Sequence, residues 1–152
     1  MILVKIDAEF DQAIETVIFG AVTRAVEFAG AGKDWVDHWD CSVIVTDDES
    51  VQYYNSVYRG IDKPTDVLSF ESHEVDPATN AIYLGDIIIS YPTILKQATK
   101  GGHALEKELE LMCVHGSLHL LGYDHLEDEE KEEMWALQTE ILSQLGNGLQ
   151  PA

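Results

Sequence analysis

The chain has 152 residues, 45% of them apolar, and carries 28 acidic against 9 basic residues for a formal net charge of −19. That length suits one globular domain, which buries roughly two thirds of the surface its unfolded form exposes and needs no staple. The charge favours solubility and argues against tight binding of a polyanion by the chain alone, while two cysteines, Cys41 and Cys113, are too few for a disulfide framework and lack the close pairing of a zinc ribbon.

Ile2 to Ile6 alternates weakly and is expected to be a strand; it is too short, and too soon broken by Asp7, for a signal peptide. No stretch nears the roughly 18 apolar residues of a membrane helix, so the expectation is a soluble cytoplasmic protein with no membrane partner. Ile14, Val17, Ile18, Ala21, Ala25 and Phe28 recur at helical spacing until Gly30 and Gly32. Cys41 to Thr46 is short and β-branched, a buried strand, and Asp47-Asp48-Glu49-Ser50 then opens a helix to about Tyr58, with Val51, Tyr54 and Val57 or Tyr58 facing inward. A polar loop, Arg59 to Asp66, precedes the strand Val67 to Phe70, and a second strand runs from Ile82 to Ser90. Ser90 and Pro92 start a short helix to about Thr99, which Gly101-Gly102 stops. A longer helix from His103 or Ala104 to Leu121 and a last one from about Asp128, carrying Met134, Leu137, Ile141 and Leu145 before Gly146, complete the chain. The acidic run Glu127 to Glu133 reads as a solvated first helical turn favoured by the helix dipole. About four strands in a mixed sheet and about five helices thus form one compact α+β domain; strand order is not readable from the pattern.

Three of the six histidines fall within eleven residues, from His115 through His119 to His125. Residues four apart on a helix share a face, with Cβ atoms roughly 5 to 6 Å apart, so His115 and His119 can grip one ion. Gly122 stands where a left-handed residue ends a helix, letting the chain turn back to bring His125 to the same face. Three imidazoles leave a fourth tetrahedral position open, the arrangement of a catalytic zinc site, and zinc is the ion expected from geometry and availability. A zinc protease would carry glutamate directly after its first histidine, where this chain has Gly116. Gly116 in mid-helix costs about 1 kcal/mol against alanine, which points to a close approach by substrate, metal or packed backbone. Cys113 lies on the other side of the helix from His115 and is expected to be a buried thiol, while Asp124 either orients a ligand imidazole or completes the turn. His38, His73 and His103 read as ordinary core or surface residues.

The run His115-Gly116-Ser117-Leu118-His119-Leu120-Leu121-Gly122-Tyr123-Asp124-His125 closely resembles the signature of the YbeY endoribonuclease family. Tyr58-Arg59, Lys63-Pro64-Thr65-Asp66-Val67-Leu68-Ser69-Phe70, Leu84-Gly85-Asp86-Ile87, Gly102-His103 and Met134-Trp135 resemble its other landmarks in order, so the likeness covers nearly the whole chain, residues 1–152 as a single metal-dependent domain. One departure is Glu71, where the family commonly has proline. The resemblance implies one Zn2+ ion per chain on the three matched histidines. It also implies cleavage of single-stranded RNA, a part in 16S ribosomal RNA 3′-end maturation and ribosome quality control, and an essential role for the arginine matched by Arg59. Partners are then ribosomal RNA and the ribosome or a ribosome-associated protein, with no DNA expected. On its residues alone Arg59 reads as a surface salt bridge; the resemblance favours a phosphate-holding guanidinium instead. Lys63 adds phosphate attraction, and Tyr58 either stacks on an unpaired base or joins the core. Two rival readings stand: a zinc hydrolase of a small molecule or peptide using Asp66, Asp86 or Asp124 as base, and a non-catalytic ribosome assembly factor braced by zinc.

Overall fold

The computed structural model describes residues 1–149, and within them the expected four strands and five helices form one α+β domain around a mixed sheet. In chain order these are β1 (Ile2–Ile6), a 3-10 turn at Gln12–Ile14, α1 (Glu15–Ala29), β2 (Trp39–Thr46), α2 (Asp48–Arg59), β3 (Val67–Val75), β4 (Ile82–Ser90), α3 (Tyr91–Gly101), α4 (Leu105–Leu120) and α5 (Asp128–Gln144). The sheet order is β1-β2-β4-β3, parallel except for the antiparallel β3–β4 edge. No helix among the described residues is long and apolar enough to cross a membrane.

Local chemistry sets the helix ends. The Asp47 carboxylate accepts the Ser50 N–H at 2.7 Å to cap α2, and Ser90 Oγ accepts the Thr93 N–H at 3.3 Å to cap α3. Gly60 and Gly102 close the same two helices in left-handed conformations, at φ 69° and 72°.

Alternation along the strands sends side chains to two faces. Cys41, Val43, Val45, Ile87 and Ile89 point into the main core with α1, α3, α4 and α5, while Ile44, Leu68 and Ile88 meet Val51 of α2 on the other face. α4 touches α1, α3, α5, β3 and β4, so its burial runs nearly all round rather than along one stripe.

Two expectations differ from the structure. β3 extends to Val75 rather than ending at Phe70, because its polar outer half pairs with Ile82 to Gly85 through a register shift between Glu71 and Glu74. Neither Val57 nor Tyr58 faces inward: they are 54% and 66% exposed, whereas Val51 and Asn55 are buried and Tyr54 packs half-buried against the cluster of Val51, Leu68 and Ile88, as expected for Val51 and Tyr54. Tyr58 instead stands edge-on to Phe70, ring centroids 5.5 Å apart, and stacks on Tyr54 at 6.2 Å.

Candidate metal centre

His115 and His119 lie one turn apart on the C-terminal half of α4, with their Nε2 atoms 3.1 Å from each other. The helix ends at Leu120, Gly122 takes φ 96°, and the chain turns so that the His125 ring lies 5.6 Å from His115 and 5.2 Å from His119. Asp124 accepts the His125 backbone N–H at 2.7 Å, which is the turn-completing role. One ligand nitrogen from each of the three histidines falls within 4.8 Å of the others. The turn that sequence spacing requires is therefore present.

Hydrogen bonds fix which nitrogen of His115 and of His119 is free. His115 Nδ1 donates to Gln138 Oε1 at 2.9 Å, and His119 Nδ1 donates to the Tyr123 carbonyl at 2.9 Å. Since each Nδ1 carries the proton, both Nε2 atoms of the neutral rings turn lone pairs toward each other. Protonating one ring would relieve that opposition, but burial lowers the pKa of His115 and pushes His119 down to about 4, with the neighbouring histidines adding to the fall. A divalent cation resolves it. Tetrahedral zinc at 2.0 to 2.1 Å from each nitrogen sets ligand nitrogens about 3.3 Å apart, close to the spacing observed. The residues thus fit a zinc ion.

The second coordination layer comes from elsewhere in the chain. Gln138, 1% exposed, sits on α5 between Met134 and Ile141, and Trp135 on the same helix stands edge-on to His115 and His125 at 6.0 and 5.5 Å. Gln138 was not expected from sequence; its signal is a polar side chain at a buried position of an apolar stripe. Replacing it with leucine should weaken zinc binding by about 10- to 100-fold while leaving the helices intact, as measured by competition with a chromophoric chelator and by circular dichroism.

Gly116 serves packing. A Cβ there would lie 2.9 Å from Ile87 Cγ2 and 3.2 Å from Ser69 Oγ, and that hydroxyl donates to the Gly116 carbonyl at 3.2 Å, so the bare backbone seats α4 on the sheet. His73, held at φ 61° in the irregular part of β3, donates from Nε2 to the Leu120 carbonyl at 2.6 Å and ties the strand to the end of the ligand helix. Cys113 is fully buried and its thiol pKa is raised by that burial, as expected of a structural cysteine.

A cleft of about 500 Å³ opens over the histidines, walled by Arg59, Asp66, Ser69, Asp124 and Leu126 among others. Arg59, the last residue of α2, donates from Nη2 to the Ser69 carbonyl and lies over the Phe70 ring at 5.2 Å. Its partners are a carbonyl and an aromatic face rather than a carboxylate, so the guanidinium keeps donors for a ligand. Asp66 and Asp124 line the cleft; Asp86 does not, since it accepts the Tyr83 hydroxyl on β4. Lys63 is exposed outside the cleft wall, its carbonyl held by Asn55 at 2.9 Å.

Residues 5–146 match the family described as Endoribonuclease YbeY. The chain is 42% identical over 132 residues to the endoribonuclease YbeY of Bacillus licheniformis, covering 82% of this chain and 84% of the relative. It is 40% identical over 143 residues to the endoribonuclease YbeY of Symbiobacterium thermophilum, covering 91% and 90%. In fold it is similar to the solution structure of TM1509 from Thermotoga maritima, with a TM-score of 0.58 at 24% identity over 96% of this chain and 92% of that one.

Proposed function

Since the chain belongs to the Endoribonuclease YbeY family, a nuclease family, we propose that it is a zinc-dependent, single-strand-specific endoribonuclease acting in 16S ribosomal RNA 3′-end maturation and ribosome quality control in the cytoplasm. Residues 1–152 act as one domain in this reading. The observation that carries it is the placement of His115, His119, His125 and Arg59 around one cleft.

His115, His119 and His125 would hold the ion, which supplies Lewis acidity toward a phosphoryl oxygen and lowers the pKa of water at neutral pH. Arg59 grips the phosphate and stabilises the charge that gathers on it in the transition state, a task suited to a planar guanidinium. A carboxylate of the cleft wall, Asp66 or Asp124, would take the proton of the attacking nucleophile. Tyr54, Tyr58 and Phe70 form an aromatic strip beside Arg59, and unpaired bases stack on such a strip where paired ones cannot. Lys63, on the loop between α2 and β3, adds long-range attraction for the strand. At a net charge of −19 the protein binds free RNA weakly, and a ribosomal partner delivers the substrate.

The test compares an end-labelled single strand with its duplex, using zinc-loaded protein, chelator-treated protein and chelated protein given zinc again. Cleavage is expected of the single strand alone, lost on chelation and restored by zinc. Equal cleavage of the duplex would remove the strand specificity, and undiminished cleavage without metal would remove the zinc mechanism.

A further inference from the structure

A second cavity, of about 290 Å³, adjoins the metal cleft; Asp66, Val67 and His115 line both. Its volume lies at the small end of ligand sites, which run from roughly 300 to 1,000 Å³. One wall is the face of α4 that carries Glu108, Leu111, Met112 and His115, residues spaced so that they stack in line along the helix. Trp135 and Gln138 of α5 and Gln97 of α3 complete much of the rest.

Buried polar atoms in this cavity lack partners. Glu108 is only 6% exposed; its Oε1 lies 3.6 Å from His103 Nε2, and its Oε2 has no hydrogen-bond partner. Gln97 donates from Nε2 to Asp66 Oδ2 at 3.1 Å, and because a carboxylate only accepts, that bond fixes the amide and leaves Oε1 as a second acceptor without a partner. Buried polar atoms left unpaired are costly, and here these two acceptors and a third atom, His103 Nε2, belong to residues that line one cavity beside the Trp135 indole and the apolar Val67, Leu111, Met112 and Leu149. These residues do not form a group whose ligand atoms converge on an ion, as His115, His119 and His125 do.

A flat ligand that carries two donors on one edge would supply a partner to each acceptor. Among the RNA bases only guanine has them, the N1–H and the N2 amine of its Watson–Crick edge. We propose that the cavity is a base subsite that receives an unpaired guanine neighbouring the phosphodiester cut in the metal cleft, with Glu108 Oε2 and Gln97 Oε1 accepting its edge donors. Trp135 supplies an aromatic wall for the ring, and the shared residues Asp66, Val67 and His115 make the step from base to phosphate short. The inference rests on the endoribonuclease reading, which it deepens by naming a specificity-determining subsite.

The experiment has a binding arm and a cleavage arm, both on zinc-loaded protein. Guanosine 5′-monophosphate and adenosine 5′-monophosphate are titrated separately while the indole N–H of Trp135 and the side-chain amides of Gln97 and Gln138 are followed by NMR. The guanine nucleotide is expected to shift these signals in wild type and not in Glu108→Gln, the adenine nucleotide in neither. In the cleavage arm, single strands differ only in one central base: guanosine, inosine or adenosine. Cutting beside guanosine should be about tenfold faster than beside adenosine, with inosine, which lacks the N2 amine, in between. Should Glu108→Gln fail to fold, Gln97→Met keeps the side-chain volume, removes one acceptor, and should bring the guanosine and inosine rates together. Cleavage indifferent to the central base, with no selective shift by the guanine nucleotide, overturns the subsite and leaves the nuclease standing. A selective shift without cleavage of any strand supports the subsite and overturns the nuclease.

Discussion

Arg59→Ala should lower kcat for single-strand cleavage by about 100- to 1,000-fold with zinc content and melting temperature unchanged, the loss typical of removing one preorganised donor from a transition state. The side chain is exposed, and its anchors are the Ser69 carbonyl and the Phe70 ring, both of which other contacts hold in place. Removing it should therefore move stability by no more than about 0.5 kcal/mol. Arg59→Lys should recover little, since an ammonium cannot hold the carbonyl and a phosphate in the same plane. His119→Ala gives the contrasting profile, losing zinc and cleavage together. Steady-state rates alongside metal analysis separate the two, and an Arg59→Ala rate within threefold of wild type would remove arginine from the mechanism.

Gly85→Ala should remove a large share of the protein's stability. Gly85 lies in β4 at φ 137°, where a Cβ would sit 2.0 Å from the Phe70 carbonyl oxygen and 3.0 Å from Leu120 Cδ2. The first contact is with backbone, so no rotamer relieves it; β4 must part from β3 or the end of α4 must lift. Backbone strain and overpacking together amount to about 3–5 kcal/mol, a large share of the 5–15 kcal/mol that holds a domain together. Urea denaturation of metal-free protein measures this directly, and a loss under about 1 kcal/mol would mean that the edge of the sheet yields more readily than its packing implies.

What could be read from sequence was what is local. The three-histidine site is encoded by a four-residue helical step and a glycine turn, all within eleven residues, and it stands where that spacing puts it. The helices were legible through their caps and their apolar period. The outer half of β3 was not, because Glu71 to Val75 is a strand by virtue of its ladder to β4 and carries no apolar alternation. Tyr58 read as inward because helical period alone cannot say how far the buried face of a helix extends; α2 buries Val51 and Asn55, while Tyr58 lies exposed against the Phe70 ring of the edge strand. Gln138 lies 23 residues from the imidazole it orients, a distance across which spacing says nothing. Lys63 is exposed on the loop between α2 and β3 and is not among the residues that wall the cleft.

The helix that carries two of the three candidate ligands is also the one against which α1, α3, α5 and half the sheet are packed. An ion bound there would add to the stability of the element on which most of the fold is packed. At a free concentration one hundred times its dissociation constant it adds about 2.7 kcal/mol to the folded state. Scarcity of the ion would then shorten the lifetime of the polypeptide as well as idle it, because the unfolded fraction that proteases remove grows by the same factor. On the zinc reading proposed above, a cell short of zinc would register the deficit as fewer molecules.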